Sequence, residues 1–156
     1  MTQAPGTGPQ PAPSPPSPQE LLRWMRDAAR GTLVERMDIE ILEVGAERTV
    51  ARMPVAGNTQ PYGLLHGGAS AVLAETVGSI ASATHAGPDR VAVGIELSCT
   101  HHRAARSGHV TGTAIPIHTG GSLATYEIVV ADDRGRRLCT ARLTCLLRDR
   151  PPGEPG

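Results

Sequence analysis

Apolar and polar side chains alternate along most of the chain beyond residue 30, the period of half-buried strands. The runs 32-TLVERMDIEILEV-44 and 47-ERTVARMP-54 are separated by Gly45-Ala46 and predict a hairpin. Four more strands are expected at 91-VAVGIELSCTHH-102, 108-GHVTGTAIPIHT-119, 122-SLATYEIVVAD-132 and 136-RRLCTARLTCLL-147. Turns at Ser107-Gly108, Gly120-Gly121 and Asp133-Arg134-Gly135 join them, and connections this short predict antiparallel neighbours.

Two segments carry a helical pattern instead. Leu21, Leu22, Met25 and Ala29 fall on one side of a short amphipathic helix, with Ser17 as N-cap, Pro18 at the first helical position and Gly31 as its stop. From about Ala69 to Ser82 the chain is Ala/Leu-rich and uninterrupted, enough for about four turns at ~1.5 Å per residue. Its glycines and serines suggest close packing against a sheet.

The order helix, two strands, central helix, four strands predicts an α+β fold, with an antiparallel sheet wrapped around one long central helix. One helix covers only part of such a sheet. Pairing an exposed edge strand with that of a second copy would repair the remainder, so a homo-oligomer is expected, as a dimer or a dimer of dimers.

Composition narrows the partners. The 15 basic and 15 acidic residues cancel, and no Lys/Arg run provides a footprint for nucleic acid or a membrane surface. With no Phe, one Trp and two Tyr, stacking on nucleobases is also disfavoured. Cys99, Cys139 and Cys145 lack the spacing of a zinc motif and are expected to be reduced, mostly buried thiols, with no metal. Residues 1–18, rich in Pro, Gly, Ser, Gln and Thr, are expected to form a disordered tail, residues 19–148 one folded domain, and residues 149–156 a flexible end. Neither an export signal nor a run of ~20 apolar residues is present, so a soluble cytoplasmic protein is expected.

The candidate chemistry lies in 60-QPYGLLHGGASAVLAETVGSIAS-82. A helical glutamate usually faces solvent or pairs with an arginine. Glu75, however, is the only charged side chain between Ala69 and Ser82, and burying it unpaired would cost several kcal/mol. Ser79 follows at i+4 and shares its face. At the amino end, Gly67-Gly68 lets an acceptor approach first-turn amides that lack intrahelical partners. A carbonyl oxygen held there would be polarised by backbone N–H with help from His66, while Glu75 attacks the carbonyl carbon or activates water held with Ser79. This is acyl transfer to water without a Ser or Cys nucleophile.

Gln60-Pro-Tyr-Gly-Leu-Leu-His66-Gly67-Gly68, followed by Leu73-Ala-Glu75-Thr-Val-Gly-Ser79, resembles the hotdog-fold acyl-CoA thioesterases in the branch whose catalytic carboxylate is glutamate, typified by the glutamate-type 4-hydroxybenzoyl-CoA and 1,4-dihydroxy-2-naphthoyl-CoA thioesterases. The resemblance extends over about residues 20–148. It implies hydrolysis of an acyl-CoA to free acid and CoA with no cofactor, CoA being part of the substrate. Gly67 would supply the oxyanion-type amide and His66 would assist at the carbonyl; Glu75 would be nucleophile or general base, Ser79 would position water, and Gln60 would contact the reacting group. Sites of this family lie at the dimer interface, which would set Gln60 and His66 against the partner's Glu75. Thr100-His101-His102-Arg103 resembles the family's motif near bound CoA. Alternation sets His101 and Arg103 on one face and His102 on the other, with His101 expected in the site and Arg103 on CoA phosphate. Gly120, Gly121 and Ser122 are candidates for a CoA-binding turn, and Ile80 for the acyl pocket. The rival reading is a non-catalytic acyl-CoA-binding module acting as sensor or scaffold.

Overall fold

The computed structural model describes residues 17–150, and most of the two predicted tails lies outside them. The first helix, α1 (Pro18–Ala28), opens as the sequence expects: Glu20 N–H donates to Ser17 Oγ, and Ser17 N–H donates back to the Glu20 carboxylate at 2.8 Å. Its last turn lies against β1 (Glu40–Glu43), where Arg26 donates from Nε and Nη2 to the Ile41 carbonyl at 3.2 and 2.9 Å.

The strand expected over 32–44 is mostly something else. Gly31, at φ +73°, redirects the chain into a single helical turn, α2 (Leu33–Arg36), and Asp38, at φ +55°, redirects it again before β1 begins. A one-turn helix with Leu33 outward and Val34 inward shows the same local alternation as a strand, so the pattern alone could not separate the two.

The other elements are β2 (Thr49–Pro54), α3 (Gly67–Ala86), β3 (Arg90–His101), β4 (His109–Thr119), β5 (Leu123–Asp132) and β6 (Arg137–Asp149). They form one antiparallel six-stranded sheet in the order β1-β2-β4-β5-β6-β3. The expected neighbours β4, β5 and β6 do pair consecutively. β3 and β4 do not: β3 pairs with β6 at the far edge, with Leu97 opposite Leu143 and His101 opposite Cys139. The Ser107-Gly108 turn is therefore part of a crossover. Residues 102–108 have to span three strand spacings of ~4.8 Å, well within the ~3.3–3.6 Å that each extended residue can reach.

α3 lies along one face of the sheet, starts at Gly67 as expected and runs about one turn beyond the expected Ser82. Leu73, Ala74, Val77 and Ala81 are fully buried, packing with Met53, Val110, Ile128 and Leu143 into the core. Its small residues serve close packing: a Cβ on Gly78 would lie 2.6 Å from Leu143 Cδ2. Tyr126, buried in β5, donates its hydroxyl toward the carbonyls of Ala46 (2.9 Å) and Ala81 (3.2 Å), joining the β1–β2 turn to α3. Cys139 and Cys145 are buried and Cys99 partly so, all three as free thiols. Burial pushes their pKa values up, that of Cys139 to about 11. Among the described residues no helix is long and apolar enough to cross a membrane.

Candidate active site

The segment between β2 and α3 is held by its own backbone. Asn58 donates its side-chain amide to the carbonyls of Met37 and Pro54, both at 3.0 Å, and its carbonyl accepts the His66 N–H at 2.9 Å. Thr59 bridges Leu65, Gln60 N–H donates to the Leu64 carbonyl, and Gly63 closes the tight turn at φ +73°. Leu65 N–H is bound by the Ala105 carbonyl on the crossover at 2.8 Å. These bonds deliver His66, in extended conformation, to the N-cap of α3.

There the ring of His66 is committed. Its Nδ1 accepts the Gly68 N–H at 2.8 Å, so the neutral imidazole carries its proton on Nε2 and presents a donor outward. The His66 carbonyl accepts from Ala69 (2.9 Å) and Ser70 (3.3 Å). Among the described residues no acceptor takes the Gly67 N–H, which is thus left free at the positive end of the α3 dipole. His101 lies against the same turn, for a Cβ on Gly67 would sit 3.0 Å from its Nε2.

A cleft of about 420 Å³ opens in front of this turn. Gln60, Gly67, His101, His102 and Arg103 line it, with Leu65, Ala105 and Leu138 among its apolar walls. Strict alternation fails beyond His101, where β3 ends and the N–H groups of His102 and Arg103 both donate to the Leu138 carbonyl, so His102 and Arg103 border one cleft. His102 Nε2 also lies 2.9 Å from Thr140 Oγ1.

Glu75 and Ser79 stand apart from this group. Ser79 Oγ donates to Glu75 Oε1 at 3.2 Å, the expected i, i+4 pair. The carboxylate is half-buried and not enclosed as expected: Glu75, Thr76, Ser79 and Ile80 are each only partly covered, whereas Leu73, Ala74, Val77 and Gly78 are buried. Eight residues of helix, about 12 Å at ~1.5 Å each, separate Glu75 from Gly67. Glu75 instead rests against β3, where it meets the backbone of Gly94.

The Gly120-Gly121-Ser122 turn is farther still. His85 Nε2 is 3.1 Å from the Gly120 carbonyl and Arg90 donates to the Gly121 carbonyl at 2.6 Å, which fixes the turn at the carboxyl end of α3. A helix of 20 residues puts that end about 30 Å from the cleft. One chain thus gathers Gln60, Gly67 and His101–Arg103 around the cleft, with His66 next to Gly67 but outside its lining, pairs Glu75 with Ser79 on a half-buried helix face beside Ile80, and holds Gly120–Ser122 at the opposite end. Sequence reasoning missed Asn58 and Gly94: Asn58 reaches Met37 and Gly94 meets Glu75, both distant in the chain, although a glycine inside a strand signals close approach by something else.

A sheet wrapped on one long helix, with a polar cleft at the helix amino end, defines a hotdog-fold thioester hydrolase. The chain belongs to the thioesterase superfamily, whose model it matches over residues 62–139. It is 49% identical over 115 residues to the proofreading thioesterase EntH of Cronobacter turicensis, covering 73% of this chain and 84% of that one. Identity to EntH of Klebsiella pneumoniae is 46% over 123 residues, with 78% and 90% covered. Among solved structures, a thioesterase of Haemophilus influenzae superposes with a TM-score of 0.79 at 33% identity, covering 82% of this chain and 90% of that one. A mutant thioesterase of Pseudomonas aeruginosa superposes with a TM-score of 0.78 at 35% identity, covering 83% and 94%.

Proposed function

We propose that the chain hydrolyses an acyl-CoA thioester by the glutamate-type route, in a site completed by two copies. The observation that carries this reading is the bond from Gly68 N–H to His66 Nδ1, which leaves His66 Nε2–H and Gly67 N–H as two uncommitted donors at a helix amino terminus. Both suit a thioester oxygen that gains negative charge as the carbonyl carbon is attacked. Gln60 and His101, in the same cleft, orient the reacting group.

The carboxylate comes from the second copy, since ~12 Å along α3 is beyond the reach of Glu75 in its own chain. Glu75 either takes a proton from water as that water attacks, or attacks itself and forms an anhydride that water then opens. In both routes the C–S bond breaks, the thiolate of CoA leaves and takes up a proton, and the free acid remains. Ser79, bonded to Glu75 Oε1, holds water or the second carboxylate oxygen in line. Ile80, about one turn beyond Glu75, walls the acyl group. Arg103 and His102 on the cleft rim suit CoA phosphate. The Gly120-Gly121-Ser122 turn reaches CoA only across a subunit boundary, given its distance from the cleft of its own chain.

The unpaired edge of β3 supports the two-copy site. β3 is a 12-residue edge strand, paired on one side only, with Val93 and Ile95 exposed. A dimer, or a dimer of dimers, covers it. Reduced thiols fit a cytoplasmic setting, and no resident cofactor or metal is needed for these steps.

Thiol release from a panel of aryl-, short- and long-chain acyl-CoAs tests the reading. Glu75→Gln, isosteric and on a half-open helix face, is expected to keep its fold and assembly and to lose about 10²–10⁴-fold in kcat. Retention of the full rate in that variant would remove Glu75 from the chemistry.

A further inference from the structure

Beyond the groups that touch substrate, we infer that Gly94 is a positioning residue for Glu75: the bare backbone of β3 at Gly94 is the seat against which the carboxylate rests. This rests on the proposed catalytic role of Glu75.

Three observations meet at this point. A Cβ on Gly94 would overlap Glu75 Oε1 and stand 3.3 Å from the carboxylate carbon, so the glycine is what allows the side chain its position. Leu143 Cδ1 lies 3.5 Å from the same point, which closes the space on the β6 side. Immediately after Gly94 the β3–β6 register slips: Gly94 pairs with Cys145 and Glu96 with Thr144, so Ile95 is a bulged, extra residue. Backbone conformation does not call for this glycine, because Gly94 is absent from the positive-φ glycines among the described residues. The requirement is for space.

The seat also explains the role of Ser79. With Oε1 held between Gly94 and the Ser79 hydroxyl, the carboxylate has one orientation about its Cγ–Cδ bond, and Oε2 is the oxygen presented away from the sheet. A methyl group at residue 94 pushes Oε1 off the strand and out of hydrogen-bond range of Ser79. The carboxylate is thereby displaced by an ångström or more from its line of attack. Misplacement on that scale costs catalysis about 10²-fold while leaving substrate binding intact.

The test is steady-state thiol release by the assembled full-length chain, with Gly94→Ala and Glu75→Gln measured beside wild type, together with thermal melts and sedimentation. Gly94→Ala is expected to lower kcat by about 100-fold with KM within about twofold of wild type, and with melting temperature and assembly unchanged. Glu75→Gln should be at least as impaired. Full activity in Gly94→Ala beside an inactive Glu75→Gln would overturn the inference and leave the carboxylate reading standing. A loss in Gly94→Ala that tracks a lowered melting temperature or altered assembly would overturn it in favour of a folding role. Full activity in Glu75→Gln would remove the carboxylate reading, and the seat with it.

Discussion

Because the Nδ1 lone pair of His66 accepts the Gly68 amide, capping and polarisation use opposite sides of one ring and can be separated by substitution. Asn is among the best N-caps, and its shorter side chain does not carry an N–H as far out as His66 Nε2. His66→Asn is therefore expected to melt like wild type and to lose about 100-fold in kcat, as other losses of one oxyanion donor do. His66→Ala should show the same rate loss and also be less stable by about 1 kcal/mol in denaturant titration. Deeper in the sheet, burial pushes the Tyr126 hydroxyl up to about 12, reinforced by the charge of Glu47, and the Cys139 thiol to about 11. Both groups lose their protons sooner in the unfolded chain, near ~10 for Tyr and ~8.5 for Cys. Their contribution is thus complete below those values and is lost as pH rises through 11 and 12. Denaturant melts across that range should show falling stability, with the upper part of the fall flattened in Tyr126→Phe. Glu75 with Ser79 was legible in the sequence because helical spacing is local. Asn58 and Gly94 were not, since what they touch is fixed only once distant segments meet.

Among the elements, the long helix and the three consecutive strands β4, β5 and β6 were legible because pattern and turn chemistry agreed in each. The 32–44 segment was not, since the turns at Gly31 and Asp38 break a pattern that reads as one strand. The position of β3 was hidden for another reason. The chain enters it from α3 rather than from a hairpin, so nothing local names its partner, and β6 arrives 36 residues after β3 ends. The edge position of β3 carries its own prediction. Ile95, the bulged residue, is 57% exposed, and Ile95→Lys places a charge where a second β3 would pair. The variant is expected to keep its far-ultraviolet circular dichroism and to sediment as a smaller species, with thiol release reduced in proportion.

For the whole molecule, the proposed division of the site between copies would make activity a property of the pair. His66→Asn removes the Nε2–H donor beside Gly67 and leaves Glu75 intact, whereas Glu75→Gln does the reverse. Each homodimer should be nearly inactive. Co-refolding equal amounts gives half heterodimers by random assortment, each with one undamaged site, so about a quarter of the wild-type rate should return. No recovery on mixing would mean that each chain catalyses alone. The two margins of the sheet also differ: β1 has four residues and Arg26 on its Ile41 carbonyl, while β3 has twelve and no strand beyond it among the described residues. Were both margins open, each added copy would expose another, and the protein would grow into a filament. With one margin stopped, two copies that met at β3 would leave nothing to extend, and assembly through the sheet would end at a closed pair.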